Sequence, residues 1–320
     1  VGRSIAIARC RRIALWLTCS LPALAAAHQR LPGAASDLPA PGSWSLQAWV
    51  VVLMLLALAG YGLGSWRVWQ RAGWGRGVQP KHVAAFASGW LVLGAALVSP
   101  LDAMGAWLFS AHMVQHELLM IVAAPLLVLG RPLAAWTWAF APEHRPGLRT
   151  LIRVPAVAAS WRWITAPFAA WSAHALALWA WHVPAFFDAA LQSEPIHILQ
   201  HMTFLGTALL FWWAVLGGDR RTASAAPMVL LFTTMLHSSI LGALLALAST
   251  PWYLPYAATS SAFGFTPLED QQLGGLVMWI PGGLAYLVAG LALAARWLGR
   301  PPRESAGRPG TAPLTADRRA

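Results

Sequence analysis

The stretch Leu108-Phe-Ser-Ala-His112-Met113-Val-Gln-His116-Glu117-Leu-Leu-Met120-Ile-Val-Ala-Ala-Pro125-Leu-Leu-Val-Leu129 decides how this chain is read. Its length suits a helix that crosses a membrane, which needs about 20 predominantly apolar residues. Yet it carries two histidines and a carboxylate, and ionisable groups in a hydrocarbon layer are functional candidates by default. Residues four apart share a helix face about 6 Å from one another. His112 and His116 therefore project together, and Met120 follows one turn on.

Six further apolar segments surround this one. The seven expected spans are 46–66, 82–100, 108–129, 166–187, 196–216, 227–249 and 271–296. Of the 320 residues, 58% are hydrophobic and 10% charged, against roughly 25% charged in a soluble domain. The fold class expected is all-α: a polytopic bundle of seven transmembrane helices, since only helices or closed barrels satisfy the backbone in lipid. The runs are too long and continuous for barrel strands.

The loops fix an orientation. Loops one, three and five carry Arg67, Arg71, Arg76 and Lys81; Arg131, Arg145, Arg149, Arg153 and Arg162; and Arg220 and Arg221. The tail adds Arg300, Arg303 and Arg308, while the intervening loops hold Asp102, Asp188, Glu194, Glu269 and Asp270 and no Lys or Arg. By the positive-inside rule the mature N-terminus lies outside and the C-terminus in the cytoplasm. The net charge of +11 is thereby read as a topology signal, and nucleic acid is not an expected partner. A multi-pass membrane localisation follows.

The ends are read separately. Residues 1–27 have the Arg-rich start, short apolar run and small-residue cleavage sites of a secretory signal, with Cys10 and Cys19 inside it. Residues 28–45 form an external lead-in, 46–298 the membrane domain and 299–320 a disordered cytoplasmic tail. Cleavage after Ala27 would make His28 the amino terminus, a further copper-binding arrangement. Two stretches of loop three, Leu133 to Phe140 and Leu148 to Trp163, are expected at the membrane surface.

Given the orientation, the histidines have a depth. His112 and His116 lie in the outer half of span three, and His197 and His201 repeat the spacing at the outer start of span five. His182 closes span four before Pro184; His174 and His237 are mid-span. Neutral imidazole suits copper, zinc and haem iron, and thioether sulfur suits Cu(I). The metal-site candidates are His112, His116, His197, His201, His182 and His237, with Glu117, Met113 and Met120 in support. On the residues alone copper as Cu(I), zinc and haem b all stay open as cofactors, haem because paired imidazoles on separate helices also ligate it. His116-Glu117-Leu-Leu-Met120 begins like a zinc-protease helix but has methionine where the second histidine is required. No enzyme is expected, a haem redox protein being the enzymatic alternative. A copper permease and a metal-free scaffold complete the readings the spacing leaves open. Glu269 and Asp270 form an acidic patch that would either face an incoming copper donor or oxidase domain, or be solvated.

Several motifs in fixed order carry a resemblance: Ser110-Ala-His-Met-Val-Gln-His116 running to Pro125 and Leu-Gly-Arg-Pro132; Trp181-His-Val-Pro184 with Asp188; His197-Ile-Leu-Gln-His-Met-Thr-Phe204; and Pro267-Leu-Glu-Asp-Gln-Gln272 followed by Met278-Trp-Ile-Pro-Gly-Gly283. Over roughly 45–298 the chain resembles the CtaG family of membrane-embedded cytochrome c oxidase assembly factors, described for caa-type oxidases. The resemblance implies a role in maturing a haem-copper oxidase by handling copper. Its implied partners are haem-copper oxidase subunits and a periplasmic copper donor.

Overall fold

A computed structural model describes residues 38–217 and 225–299. The expected signal segment, His28, Arg220 and Arg221, and all of the expected tail but its first residue lie outside the described residues. Those described form helices and connecting turns without a strand. The helices are α1 Ala48–Ala72, α2 Pro80–Leu97, α3 Pro100–Gly105, α4 Phe109–Leu129, α5 Pro132–Ala139, α6 Arg145–Arg153, α7 Pro155–Ile164, α8 Pro167–Trp181, α9 Pro184–Gln192, α10 Glu194–Leu216, α11 Ala226–Ala246 and α12 Pro267–Leu298. Many open on proline, whose fixed φ and missing N–H suit the first turn of a helix, as at Pro80, Pro132, Pro167 and Pro184.

Among the described residues, α1, α4, α10, α11 and α12 are long and apolar enough to cross a membrane. The second and fourth expected spans are shorter, with 18 residues in α2 and 15 in α8. The expected span 166–187 ends early: α8 stops at Trp181, and His182 caps it by donating from Nδ1 to the Leu178 carbonyl. Pro184 then opens the separate helix α9.

The two prolines expected to kink spans act through widened turns. Pro281 lies within a π-helical segment of α12, Met278–Gly282, and Pro125 lies two residues beyond the end of a π-helical segment of α4, Leu118–Ala123. A proline ring clashes with the carbonyl four residues back, and a wider turn relieves that clash. The two irregular segments meet where Glu117 lies against Gly282: a Cβ there would come within 2.9 Å of Glu117 Oε2.

Polar side chains are buried and large apolar ones face outward, as lipid favours. Leu53, Leu55 and Leu56 of α1 and Leu287, Val288 and Leu291 of α12 are exposed, whereas His112, Gln115, His116, Gln200 and Asp270 are buried. The main core joins α4, α8, α10, α11 and α12 through Met120, Leu178, Phe204, Phe211, Leu245 and Met278. Helices α11 and α12 touch backbone to backbone, because Gly242 lacks a Cβ that would lie 2.7 Å from the Trp279 nitrogen. A smaller core ties α1 and α2 to the end of α4, where Tyr61 stacks on Phe86 at 3.8 Å.

Loop three divides in its behaviour. The first expected surface stretch becomes α5, which folds back along α1: Ala135 is fully buried and Trp136 Nε1 donates to the Ala57 carbonyl at 3.0 Å. The second becomes α6 and α7, which bury no residue.

Candidate metal centre

Four imidazoles from two helices meet at one end of the bundle. On α4, the Nε2 atoms of His112 and His116 are 2.9 Å apart. On α10, the rings of His197 and His201 are 4.2 Å apart. The two pairs face each other, with ring centroids 5.3 Å apart for His112–His197, 5.9 Å for His112–His201 and 5.2 Å for His116–His201. One ligand nitrogen from each of His112, His116 and His201 falls within 4.8 Å of the others. A tetrahedral ion with metal–nitrogen bonds of about 2.0–2.1 Å sets its ligands roughly 3.3 Å apart. Ring rotations that change these separations by up to about 1.5 Å would bring the nitrogens to that spacing.

The surroundings fix one tautomer. Tyr256 donates its hydroxyl proton to the Gly105 carbonyl at 2.8 Å, and the same oxygen lies 3.0 Å from His112 Nδ1. Its single proton being committed, the phenol accepts from His112, so Nδ1 carries the hydrogen and Nε2 presents its lone pair to the cluster. Burial, reinforced by the negative charges of Asp270 and Asp188, pushes the Tyr256 phenol well above its usual range and keeps it protonated. A metal-ligating histidine commonly has its other nitrogen oriented in this way. His116 Nδ1 and His201 Nε2 are buried without a hydrogen-bond partner. Lining-wall contacts come from Phe187, 5.1 Å from His112, and Phe204, 4.6 Å from His116.

The start of α4 is held from α12. Asp270 is fully buried and accepts from the backbone nitrogens of Phe109 and Ser110 at 2.7 and 3.0 Å and from the Ser110 hydroxyl at 2.6 Å. A carboxylate at a helix N-terminus satisfies orphan N–H groups and complements the helix dipole. Glu269 is turned to its own helix as half of a capping box with Thr266. The acidic patch expected from sequence is therefore two structural caps: Asp270 is neither solvated nor presented to a partner.

The remaining candidates separate. His182 lies near the cluster, 6.5 Å from Phe187 and 6.1 Å from Phe204, with a buried Nε2 that lacks a partner. His237 lies apart, 5.9 Å from Trp171. His174 joins Thr207 and Tyr286 through contacts of 3.2 and 3.4 Å. Glu117 points to Gly282 of α12. Met113 and Met120 are buried in the apolar core, Met113 close to Gly274.

Residues 59–300 match the family described as cytochrome c oxidase caa3 assembly factor (Caa3_CtaG). The chain belongs to this family. The match runs from within α1 through the end of α12 and includes all four clustered histidines of this Caa3_CtaG chain. Among curated relatives, uncharacterised proteins of Mycobacterium bovis (strain ATCC BAA-935 / AF2122/97) and Mycobacterium tuberculosis (strain CDC 1551 / Oshkosh) are each 29% identical over 219 residues, which is 65% of this chain and 33% of theirs. One of Mycobacterium leprae (strain TN) is 26% identical over 270 residues, 79% of this chain and 39% of its own. The chain thus spans between a third and two fifths of the length of these curated relatives. No solved structure matches it.

Tyr256 was not named from sequence, and Asp270 was named only as part of an acidic patch and not as the anchor of α4. A tyrosine in a loop far from α4 gives no periodic signal, and the carboxylate of Asp270 resembles any other in a base-free loop.

Proposed function

We propose that this Caa3_CtaG chain binds Cu(I) through His112, His116, His197 and His201 and passes it to a haem-copper oxidase subunit during assembly. The observation that carries this reading is the convergence of two i,i+4 histidine pairs from α4 and α10, one ring held in its tautomer by Tyr256. Copper is cargo in this reading, and the chain does no chemistry on it beyond ligation and release. His182 is the reserve ligand; its bare Nε2 lies beside the aromatic wall of the site. His237 drops out of the proposed ligand set, because it lies against Trp171 instead. Glu117, Met113 and Met120 act as neighbours and not as ligands.

Copper is preferred to haem for a geometric reason. The rings meet edge to face within 6 Å, and one ion fits among their nitrogens. A macrocycle would require that contact to be opened.

The wider setting is part of the proposal. Counting α2 and α8 with the five longer helices gives seven spans, with the cluster toward the external leaflet and the Arg-rich loops in the cytoplasm of a bacterial inner membrane. A periplasmic donor would then supply copper from the side on which the cluster lies. The test is complementation: in a bacterium deleted for its own copy, the wild-type chain restores copper content and activity of the membrane-extracted oxidase, and His112→Ala with His116→Ala does not. Full restoration by a double variant present at wild-type level would reject the assignment.

A further inference from the structure

At the opposite end of the bundle from the histidine cluster, the ends of five helices, α2, α4, α5, α10 and α12, line a cavity of about 700 Å³. Its polar wall is basic: Lys81 and His82 from the start of α2, Arg131 between α4 and α5, and Arg296 near the end of α12. Among the described residues no carboxylate lines it, and its other described surfaces are apolar or backbone, including Leu129, Leu133, Leu216 and Trp213.

Two local features hold the polar wall in place. Arg131 has φ 53°, and it is the sole non-glycine residue with positive φ among those described. A bulky side chain in the left-handed region is uncommon and carries strain that the surroundings must maintain. Here Tyr61 donates to the adjacent Gly130 carbonyl at 2.8 Å, and Pro132 begins α5 directly after the arginine. His82 is fixed differently: its Nδ1 accepts from the Gln79 backbone at 3.2 Å. The ring hydrogen must then reside on Nε2, which is left as a donor.

A cavity with cationic and N–H donors at one margin and aliphatic walls beside them matches an amphiphile with an anionic head. We propose that it binds the phosphodiester headgroup of an anionic phospholipid of the cytoplasmic leaflet. Lys81, Arg131 and Arg296 would face the phosphate, with the glycerol and upper acyl chain against Leu129, Leu133 and Leu216. Basic pockets between membrane helices on the cytoplasmic side suit such headgroups, and each cation near the surface contributes about fivefold in affinity. The inference rests on the membrane orientation and is independent of what the histidines bind.

The test uses the full chain purified in detergent. Phosphatidylglycerol, phosphatidylcholine with the same acyl chains, and inorganic phosphate are titrated separately, with retention read by native mass spectrometry and protection by thermal shift. Wild-type protein should prefer phosphatidylglycerol by about tenfold or more, and inorganic phosphate should give little protection. Lys81→Gln combined with Arg296→Gln should reduce that preference by about 25-fold, or abolish it. Arg131→Asn, chosen because asparagine tolerates the left-handed backbone, should weaken it by about fivefold. Should that variant fold poorly, the exposed Lys81 and Arg296 pair carries the test. Equal retention of the two lipids, a preference that survives the Lys81 and Arg296 pair of substitutions, or protection by inorganic phosphate equal to that by phosphatidylglycerol would each overturn the assignment.

Discussion

Replacing Tyr256 with phenylalanine removes one oxygen and with it two contacts: the bond to Gly105 at 2.8 Å and the acceptor 3.0 Å from His112 Nδ1. The rest of the ring, edge-on to Phe109 and tilted against Phe187, is preserved. A buried donor or acceptor left unmatched costs about 1–3 kcal/mol, so the fold should be weakened measurably but not abolished. The sharper effect is on His112. Without the phenol, the ring loses both its fixed orientation and its enforced Nδ1–H tautomer, and loss of such an outer partner typically costs 10–100-fold in metal affinity, or about 1.4–2.7 kcal/mol. Tyr253→Phe is the matched control: its hydroxyl donates to the His182 carbonyl at 2.9 Å, so it loses a buried bond without touching a clustered ring. Competition for Cu(I) against a chromophoric chelator under reducing conditions should show Tyr256→Phe about tenfold or more weaker than wild type and Tyr253→Phe near it. Equal affinities for the two variants would refute the claim that Tyr256 orients a ligand.

Other expectations follow from the same contacts. His237→Ala should leave Cu(I) affinity within about twofold of wild type, whereas His201→Ala should abolish high-affinity binding; equilibrium titration of both variants decides it. Asp270→Asn removes the charge from a carboxylate that takes three donors, and hydrogen bonds to charged groups are worth about 1.5–3 kcal/mol. The substitution should lower the thermal midpoint in detergent clearly more than Glu269→Gln does. Gly275→Ala sets a methyl group against the Ala246 backbone nitrogen, an overpacking expected to cost about 1–3 kcal/mol. Its thermal midpoint should fall below that of Gly290→Ala, where a Cβ meets nothing within 4 Å.

What the sequence disclosed, and what it withheld, has a common physical origin. The five long helices α1, α4, α10, α11 and α12 were legible because lipid demands long apolar runs, and the i,i+4 spacing of His112 with His116 and of His197 with His201 was legible because helix geometry places such residues together. That α4 meets α10 was not legible. Both the lipid face and the packed face of a membrane helix are apolar, so hydrophobicity does not say which side meets a neighbour. The same ambiguity hid α5, whose apolar run read as a surface segment and instead packs along α1. The fourth span was drawn too long because Val183, Phe186 and Phe187 continue the apolar run past the break at His182. His237 illustrates the limit of depth as a guide: depth suggested membership of the site, but the side chain lies against Trp171.

The central claim is that the four-histidine cluster is a copper site. It is tested most directly by loading the purified chain with Cu(I) under reducing conditions and measuring copper per chain and the optical spectrum of the same sample. Stoichiometric copper without a Soret band is expected in the wild type, lost when His112 and His116 are replaced together. A Soret band, absence of bound copper, or copper retained by a folded double variant would contradict it.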